Sequence, residues 1–326
     1  MSVKASTLTH GGVMVNYRCT AACRHCLYAC SPTREAGYIT PETMRDVCRL
    51  LRVGACRSVH IGGGEPFLSI EGLIMVVREL RSAGIRVEYV ETNGFWSAAD
   101  QARDILKQLM LEGVDTLCVS LDPFHAEYLA YGFPLRLTRL CGEVGMHYFL
   151  WKEQYLSSLM RLSSHEKHSR AKMEAQLSPT YIRDTARSYG VTFGGRAVAI
   201  EQEYGNSFPY NELVDDTPCR DLLSTGHFHV DMHGYFIPPG CTGLRLPLAE
   251  VVSNIQDGKY PAFEALYQGG VAALLRLARE RGVEPDEAGY TSKCNLCFHI
   301  RHALAWQGFA ELDAEHYAEA LKYYGA

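Results

Sequence analysis

The stretch "GVMVNYRCTAACRHC", residues 12–26, joins a predicted strand to three cysteines. Its apolar first part, residues 12–17, is typical of a β-strand. Cys19, Cys23 and Cys26 follow within eight positions, with the spacing C-x3-C-x2-C. The sequence therefore predicts that three thiols share the loop that directly follows the first strand.

Composition indicates a globular chain. The 326 residues are 47% hydrophobic and 21% charged, with a net charge of −5 and twelve cysteines. The absence of a basic excess argues against a duplex nucleic-acid partner. The amino-terminal residues lack the apolar core of a signal peptide, and no apolar run reaches the length of a membrane span. We expect a soluble, cytoplasmic protein, in which clustered cysteines bind metal or act in catalysis.

Strand and helix patterns alternate along the chain from residue 12 to residue 200. Thr40 and Pro41 are typical of a helix start, and Ser69 of the next. Such alternation predicts a parallel sheet, either doubly wound or closed toward a barrel. We expect strands at 12–17, 58–63, 86–94, 116–122, 146–151 and 191–200, which make six βα units. Residues 152–175 are polar and suggest a long surface excursion, and residues 178–190 a helix that begins at Ser178 and Pro179.

The three clustered thiols favour iron over zinc. Structural zinc takes four ligands, which three cysteines on one loop do not supply. Three thiolates can hold a cubane iron–sulfur cluster and leave one iron open to a substrate. Two alternatives remain open, namely three unrelated buried thiols and a zinc site completed by Cys30. Cys30 itself is either a thiol that faces the substrate or an unreactive neighbour of the cluster.

A second motif, "GGGEP" at residues 62–66, follows the second predicted strand. Its glycines allow close backbone approach, and Glu65 can accept a charge-assisted hydrogen bond from an amine. Together with "CTAACRHC", this motif resembles the radical S-adenosylmethionine (SAM) enzymes. The resemblance implies a partial (β/α)6 TIM-like barrel and a [4Fe–4S] cluster bound by Cys19, Cys23 and Cys26. It also implies that SAM chelates the open iron and is cleaved to a 5′-deoxyadenosyl radical. His25 departs from the pattern, which usually has an aromatic residue there.

The resemblance places further SAM contacts at the ends of the predicted strands. Glu91, Thr92 and Asn93 end the third strand, and Ser120 and Asp122 end the fourth. Ordinary turn and cap chemistry is the alternative for these residues. Arg196, on the sixth predicted strand, is expected either to pair with the SAM carboxylate or to be a surface arginine. The expected cofactor contacts are His25, Gly62, Gly63, Gly64, Glu65, Thr92, Asn93, Ser120, Asp122 and Arg196.

Four more cysteines form a second candidate ligand set. Cys219 and Cys241 flank a predicted hairpin at residues 227–241, and "CNLC" supplies Cys294 and Cys297. Four thiolates saturate either a [4Fe–4S] cluster or a zinc ion, and spacing alone does not decide between them. The resemblance favours one auxiliary [4Fe–4S] cluster in a small α+β domain of the twitch type, related to SPASM domains.

We therefore expect a radical SAM domain over residues 1–204 and a twitch-like domain over 205–326. The expected activity is a net oxidative modification of a peptide, as in maturases, in which an electron passes to the auxiliary cluster. The alternatives are a small-molecule dehydrogenase and a non-catalytic zinc or iron–sulfur scaffold. The first strand begins near residue 12, so no leader-binding domain is expected ahead of it. The expected electron donor is a flavodoxin- or ferredoxin-type protein.

Overall fold

A computed structural model describes residues 4, 5, 7–190 and 194–322. Eight strands form one sheet in the order β5-β4-β3-β2-β1-β6-β7-β8. Strands β1 to β6 run parallel to their neighbours, and β7 and β8 continue the sheet in antiparallel fashion. The strands are β1 Gly11–Met14, β2 Ser58–Gly62, β3 Arg86–Thr92, β4 Thr116–Ser120, β5 His147–Trp151, β6 Phe228–Val230, β7 Tyr235–Ile237 and β8 Leu246–Pro247. The chain is thus an α/β protein with a mainly parallel sheet, as predicted.

Fourteen α-helices occur in the described part of the chain. They are α1 Pro41–Val53, α2 Ile70–Ser82, α3 Ala102–Glu112, α4 Pro123–Ala126, α5 Gly132–Val144, α6 Leu156–Leu159, α7 Arg170–Gln176, α8 Tyr181–Tyr189, α9 Ala197–Tyr204, α10 Tyr210–Leu213, α11 Leu248–Ser253, α12 Pro261–Arg279, α13 Lys293–Ala305 and α14 Ala314–Leu321. None of the helices in these described residues is long and apolar enough to cross a membrane.

The predicted starts of the first two helices are confirmed. The Thr40 hydroxyl accepts a hydrogen bond from the Thr43 N–H, and Pro41 occupies the first turn of α1. The Ser69 hydroxyl caps α2 in the same way, through the Gly72 N–H. A side-chain oxygen at this position satisfies a backbone donor that the helix itself leaves unpaired.

The long crossover helices lie on one face of the sheet. Strand order rises steadily from β1 to β5, and right-handed crossovers then place α1, α2, α3 and α5 on the same side, where they share the main hydrophobic core. Val13, Val59 and Ile61 point to that side and join the main hydrophobic core. We call the opposite side the inner face. This one-sided arrangement is the one that a partial (β/α) barrel requires.

The prediction of a sixth strand at residues 191–200 is wrong. Residues 191–193 lie outside the described residues, and α9 begins at Ala197. The described residues between 11 and 200 form five strands, not the six predicted, and the sixth parallel strand is β6, which pairs with β1. The alternation in "VTFGGRAVAI" is short. Ala197–Tyr204 also contains alanine, glutamate and glutamine, which favour a helix.

Residues 152–175 are not a purely surface excursion. Leu159 of α6 and Met173 of α7 are fully buried, and they pack with Phe124 and Ile182 in a second, smaller hydrophobic cluster. Helix α8 begins at Tyr181, so the start predicted at Ser178 and Pro179 is also wrong. The Ser178 hydroxyl instead accepts from the Thr180 N–H, in a turn that precedes the helix.

The hairpin predicted at 227–241 is confirmed as β6 and β7. Asp231 shapes its turn, because one carboxylate oxygen accepts from the N–H groups of His233 and Tyr235 at 3.0 and 2.9 Å. Gly234 adopts a φ of +82°, which suits glycine. Since β6 is hydrogen-bonded to β1, the carboxyl-terminal part of the chain extends the same sheet. The domain boundary at residue 204 stays a prediction.

Candidate functional site

The three clustered cysteines follow β1 at the carboxyl edge of the parallel strands. We call residues 16–30 the cluster loop. Cys23 is buried, and Cys19 and Cys26 are half-buried. Burial raises the pKa of Cys19, and the nearby thiols of Cys23 and Cys26 raise it further. The three thiols therefore lie within electrostatic range of one another.

The loop closes on itself through its own backbone. The Cys26 N–H donates to the Cys23 carbonyl at 3.0 Å, and the Cys30 N–H donates to the Cys26 sulfur at 3.4 Å. Hydrogen bonds from Cys30 lower the pKa of Cys26 and so favour its thiolate. Cys30 is only 2% exposed. Its burial behind Cys26 favours a supporting neighbour over a thiol that faces a substrate.

The glycines of "GGGEP" lie against the cluster loop. The Gly64 N–H donates to the backbone carbonyl and side-chain oxygen of Asn16, at 2.8 and 3.0 Å. A Cβ at residue 64 would stand 2.1 Å from the Arg18 carbonyl oxygen, and Gly63 has a φ of +147°. Only glycine tolerates this approach. The structure thereby explains the motif as a packing requirement between the first two strand ends.

Glu65 is buried at the centre of a hydrogen-bond network. Its carboxylate accepts from the Thr92 hydroxyl at 2.9 Å, the Asn93 N–H at 2.8 Å and the Phe67 N–H at 3.2 Å. Burial nevertheless raises its pKa to about 7. A carboxylate has about four acceptor positions, so these three bonds leave room for one further donor. The predicted role of Glu65 toward an amine is geometrically possible and stays a prediction.

Thr92 and Asn93 connect Glu65 to the cluster loop. The Thr92 oxygen also accepts from the Gly94 N–H and the Trp96 ring N–H. The Asn93 amide donates to the Thr20 hydroxyl at 2.9 Å and approaches the Cys19 sulfur at 3.8 Å. Both side chains thus have a structural role at the end of β3, independent of any contact with a ligand.

Asp122 organises the opposite side of the cluster loop. Its carboxylate accepts from the ring of His125 at 2.8 Å and from the Tyr189 hydroxyl at 2.9 Å. Although burial opposes charge here, His125 lowers the pKa of Asp122, and Asp122 and Cys23 raise the pKa of His125. Burial raises the pKa of Cys23, and the positive imidazole of His125 beside it opposes that rise and so favours the thiolate that metal ligation needs. His25 completes the group by stacking on Phe124 at 4.9 Å.

Arg196 binds the backbone of the cluster loop. Its guanidinium donates to the carbonyls of Cys23 at 2.9 Å and Cys30 at 2.5 Å. The residue is 2% exposed, so the surface-arginine alternative is wrong, and it precedes α9 instead of lying on a strand. Gly195 makes the contact possible, because a Cβ there would stand 2.2 Å from the Leu27 carbonyl oxygen. Pairing with a SAM carboxylate stays a prediction.

The remaining predicted contacts lie on the inner face. Ser120 ends β4 opposite Trp151 of β5. Gly62 ends β2, where a Cβ would stand 2.7 Å from a carboxylate oxygen of Glu91. Both positions face the space between the strand ends, where parallel α/β sheets commonly bind ligands.

The four other cysteines come together from three separate segments. Cys219 precedes a short 3-10 helix, Cys241 follows β7, and Cys294 and Cys297 lie one turn apart at the start of α13. Burial raises the pKa of Cys241 to about 12, and Cys297, Cys294 and Cys219 all contribute to the rise. The four thiols therefore lie within electrostatic range of one another.

Two cations lie beside this second thiol set. Buried Arg301 donates to the Thr242 carbonyl at 3.0 Å and to the Tyr317 hydroxyl at 2.9 Å. Its charge opposes the rise that burial causes in the pKa of Cys241. Lys293 pairs with Asp215 at 3.0 Å. Burial raises the pKa of Cys294, and the charge of Lys293 partly opposes that rise. Such neighbours suit a site that concentrates negative charge.

Three residues of the first site were missed from the sequence. Asn16 directly follows β1, His125 lies three positions after Asp122, and Tyr189 ends α8. The signal for His125 was available in "LDPFH", because Asp122 caps the short helix α4 and a histidine in its first turn must lie near it. Nothing in the local sequence of Tyr189 indicates its contact with Asp122.

Residues 13–141 match the Radical SAM superfamily. The match spans β1 to α5, the cluster loop and the glycine motif, and this segment of the chain is a radical SAM domain. A curated relative, the "Probable GTP 3′,8-cyclase" of Methanothermobacter marburgensis, is 25% identical over 115 residues. That alignment covers 35% of this chain and 35% of the relative, so the chain spans about a third of the length of the relative that it matches.

The chain is also similar to solved structures that hold S-adenosylmethionine (AdoMet). Native anSMEcpe with bound AdoMet is 14% identical over 92% of this chain and 97% of that chain, with a TM-score of 0.45. Streptococcus suis SuiB bound to S-adenosylmethionine is 14% identical over 83% and 69%, with a TM-score of 0.42. BtrN in complex with AdoMet and 2-DOIA is 14% identical over 82% and 89%, also at 0.42. At these scores the similarity does not establish a shared reaction.

The superfamily implies a [4Fe–4S] cluster and SAM, and the residues of the first site fit both. The cluster loop gathers three soft thiolate ligands, the type that iron–sulfur clusters take. The glycine motif brings its backbone into direct contact with this loop, since a Cβ at Gly64 would meet the Arg18 carbonyl oxygen. Cys19, Cys23 and Cys26 would hold the cluster, and the "GGGEP" edge with Glu65 would hold the methionyl part of SAM.

Proposed function

We propose that this protein is a radical SAM enzyme that oxidises its substrate by two electrons and passes one of them to an auxiliary iron–sulfur site. The observation that carries the proposal is the presence of two separate thiol sets. One set offers three sulfurs on a loop that packs against the glycine motif, and the other offers four sulfurs beside Arg301 and Lys293. A three-thiolate site keeps one position free for a ligand, whereas a four-thiolate site does not.

The chain's own residues position the reactants at the first site. Arg196 holds the carbonyls of Cys23 and Cys30, and the Asp122–His125 pair supports the Cys23 thiolate. Glu65 has one acceptor position left, which we assign to the SAM amine. When bound, the reduced cluster supplies the electron that cleaves SAM to methionine and a 5′-deoxyadenosyl radical.

The second thiol set accounts for the remaining electron. A two-electron oxidation removes a hydrogen atom, which becomes part of 5′-deoxyadenosine, and then one electron and one proton. Cys219, Cys241, Cys294 and Cys297 leave no position for a substrate if they share one cluster, so electron acceptance is the role that their chemistry allows. A zinc ion in the same set would be structural and would not accept an electron.

We propose an extended peptide as the substrate. Strand β5 is an edge of the sheet as far as the described residues show, and its Tyr148, Phe149 and Trp151 are exposed. Phe149 also contacts Tyr89 on the inner face, with ring centroids 5.2 Å apart. An open edge strand with exposed aromatic side chains suits an added peptide strand. A compact small molecule is the alternative, and it would leave this edge unused. The electron donor in the proposal is a flavodoxin- or ferredoxin-type protein.

The decisive experiment is reductive SAM cleavage by the reconstituted chain. The unmodified protein should form 5′-deoxyadenosine with dithionite, and the triple variant Cys19→Ala, Cys23→Ala, Cys26→Ala should form none. The triple variant should keep about half of the iron if each set holds a four-iron cluster. A control variant, Cys48→Ala, removes a buried thiol of α1 that belongs to neither set and should keep both properties. Continued cleavage in the triple variant would refute the proposal, and no cleavage by the unmodified protein would favour a scaffold.

A further inference from the structure

Three histidines meet on the inner face, beside Tyr28 of the cluster loop. Gly12 of β1 is the register partner of His60 on β2 and of His229 on β6. The two histidines therefore flank a glycine in one row across three parallel strands. A Cβ at Gly12 would stand 2.3 Å from the His60 Nε2 atom and 2.8 Å from the His229 ring. Only the absence of that side chain lets the two imidazoles meet above β1.

The nitrogen atoms converge as metal ligands do. The Nε2 atoms of His60 and His229 lie 3.0 Å apart, so at most one of them carries a proton. His227 precedes β6 by one residue and faces the same side, and one ring nitrogen of each histidine lies within 4.8 Å of the others. Tetrahedral zinc with Zn–N bonds of about 2.0–2.1 Å places its nitrogen ligands roughly 3.3 Å apart.

The surroundings orient the rings. The Tyr28 hydroxyl lies 2.7 Å from the His229 Nδ1 atom, so Nε2 of that ring is directed toward His60. Tyr89 stacks on His60 with ring centroids 5.0 Å apart, and a Glu91 oxygen lies 3.9 Å from the His60 Nε2 atom. His229 thus has a hydrogen-bonded partner on its second ring nitrogen, as metal-binding histidines typically do.

We propose that His60, His227 and His229 form a binding site for a divalent transition metal such as zinc, distinct from the iron–sulfur sites. Three imidazoles leave a fourth position for water or for an oxygen atom of a ligand on the inner face. His60 and His229 are buried, and His227 is exposed, which gives an ion a route from solvent. The alternative is a metal-free pair of hydrogen-bonded histidines that only supports Tyr28.

Zinc binding by the full-length chain tests the site after anaerobic reconstitution of the iron–sulfur clusters. We expect one zinc per chain in addition to the iron, and X-ray absorption at the zinc edge should show nitrogen at about 2.0–2.1 Å. Sulfur at about 2.3 Å would instead place the zinc in a thiol set and overturn the proposal. Binding of no zinc would overturn it as well. None of these measurements depends on SAM cleavage, so a failure of the proposed function would not affect them.

Two matched variants locate the zinc. His227→Ala removes an exposed ligand. It should weaken zinc binding by at least about 10- to 100-fold, because mutation of residues that only hydrogen-bond to a metal ligand already causes a loss of this size. His165→Ala removes an exposed histidine elsewhere and should bind zinc as the unmodified protein does. Equal zinc affinity in both variants would contradict the site. Because the absorption spectrum of the unmodified protein identifies the ligand atoms, the proposal stays testable even if His227→Ala fails to fold.

Discussion

The two thiol sets are built in opposite ways. Cys19, Cys23 and Cys26 lie within eight positions on one loop, and buried polar side chains surround them. The other four cysteines come from three segments that span residues 219–297, and Cys294 is exposed. A local set needs only its loop to be held in place, whereas a distributed set needs the hairpin and α13 to pack first. Metal bound at the distributed set would therefore contribute more to folding.

The neighbours of the two sets differ as well. Carboxylates, amides, a histidine and the guanidinium of Arg196 surround the first set, and their hydrogen bonds hold the cluster loop and the strand ends beside it. Arg301 and Lys293 lie beside the second set, where a fourth thiolate adds negative charge. An open site must recognise a further molecule, and a closed site must only balance its own charge. The following variants test this difference between an open and a closed site.

The largest effect is expected from Cys294→Ala. Loss of one of four ligands should remove the auxiliary cluster, so iron should fall from about eight to about four per chain. SAM cleavage should continue, because the first set is intact, and the melting temperature should fall, because metal binding is part of the folding free energy. Iron analysis, 5′-deoxyadenosine assay and calorimetry measure the three results. If zinc occupies the site, the unmodified protein should already hold about four irons plus zinc.

A second large effect is expected from Glu65→Ala. A charge-assisted hydrogen bond contributes about 1.5–3 kcal/mol, so SAM affinity should fall roughly 10- to 150-fold if the free acceptor position binds the amine. The variant also leaves the donors of Thr92, Asn93 and Phe67 without their acceptor, at about 1–3 kcal/mol for a buried group, so the folded state should be less stable.

Two controls separate the effects of Glu65→Ala. Glu65→Gln keeps the side-chain shape but loses the charge, so it should weaken SAM binding with a smaller loss of stability. Glu71→Ala changes an exposed carboxylate at the start of α2 and should alter neither property. Lower stability with unchanged SAM affinity in Glu65→Ala would leave Glu65 as a structural residue of the turn.

The cluster loop could be predicted from sequence because its chemistry is local. The cysteine spacing and the caps Thr40 and Ser69 act within a few residues of themselves. The alternation of strands and helices sufficed for five strands. It failed at residues 191–200, where a short apolar run suits a strand or a helix equally and only packing against the cluster loop decides.

Tertiary contacts explain what the sequence did not show. Tyr189 reaches Asp122 from 67 positions away, and Arg196 reaches Cys23 from 173 positions away. The histidine group depends on strand register, since Gly12 separates His60 from His229 only once β6 pairs with β1. The H-x-H spacing at 227–229 indicates a shared strand face, but it does not indicate the partner strand.

A moderate effect is expected from Arg196→Lys. Lysine keeps the charge but loses the fork that donates to two carbonyls of the cluster loop. If Arg196 positions the loop, the cluster should be lost about tenfold faster to a chelator, while cluster-loaded protein should bind SAM as before. Weaker SAM binding with normal cluster retention would instead support the predicted pairing with the SAM carboxylate. Arg187→Lys, on the exposed side of α8, is the matched control and should change neither.

The smallest effect is expected from Asn93→Ala, and it concerns the first thiol set alone. The Asn93 amide approaches the Cys19 sulfur at 3.8 Å, a long and weak contact. Hydrogen bonds to ligand sulfurs stabilise the reduced cluster, so their loss should lower its potential. A contribution of about 0.5 kcal/mol corresponds to roughly 20 mV for a one-electron couple. A redox titration followed by electron paramagnetic resonance measures the shift. An unchanged potential at the first set, or an equal shift at both clusters, would show that Asn93 acts only by holding Thr20 and the turn before Phe95.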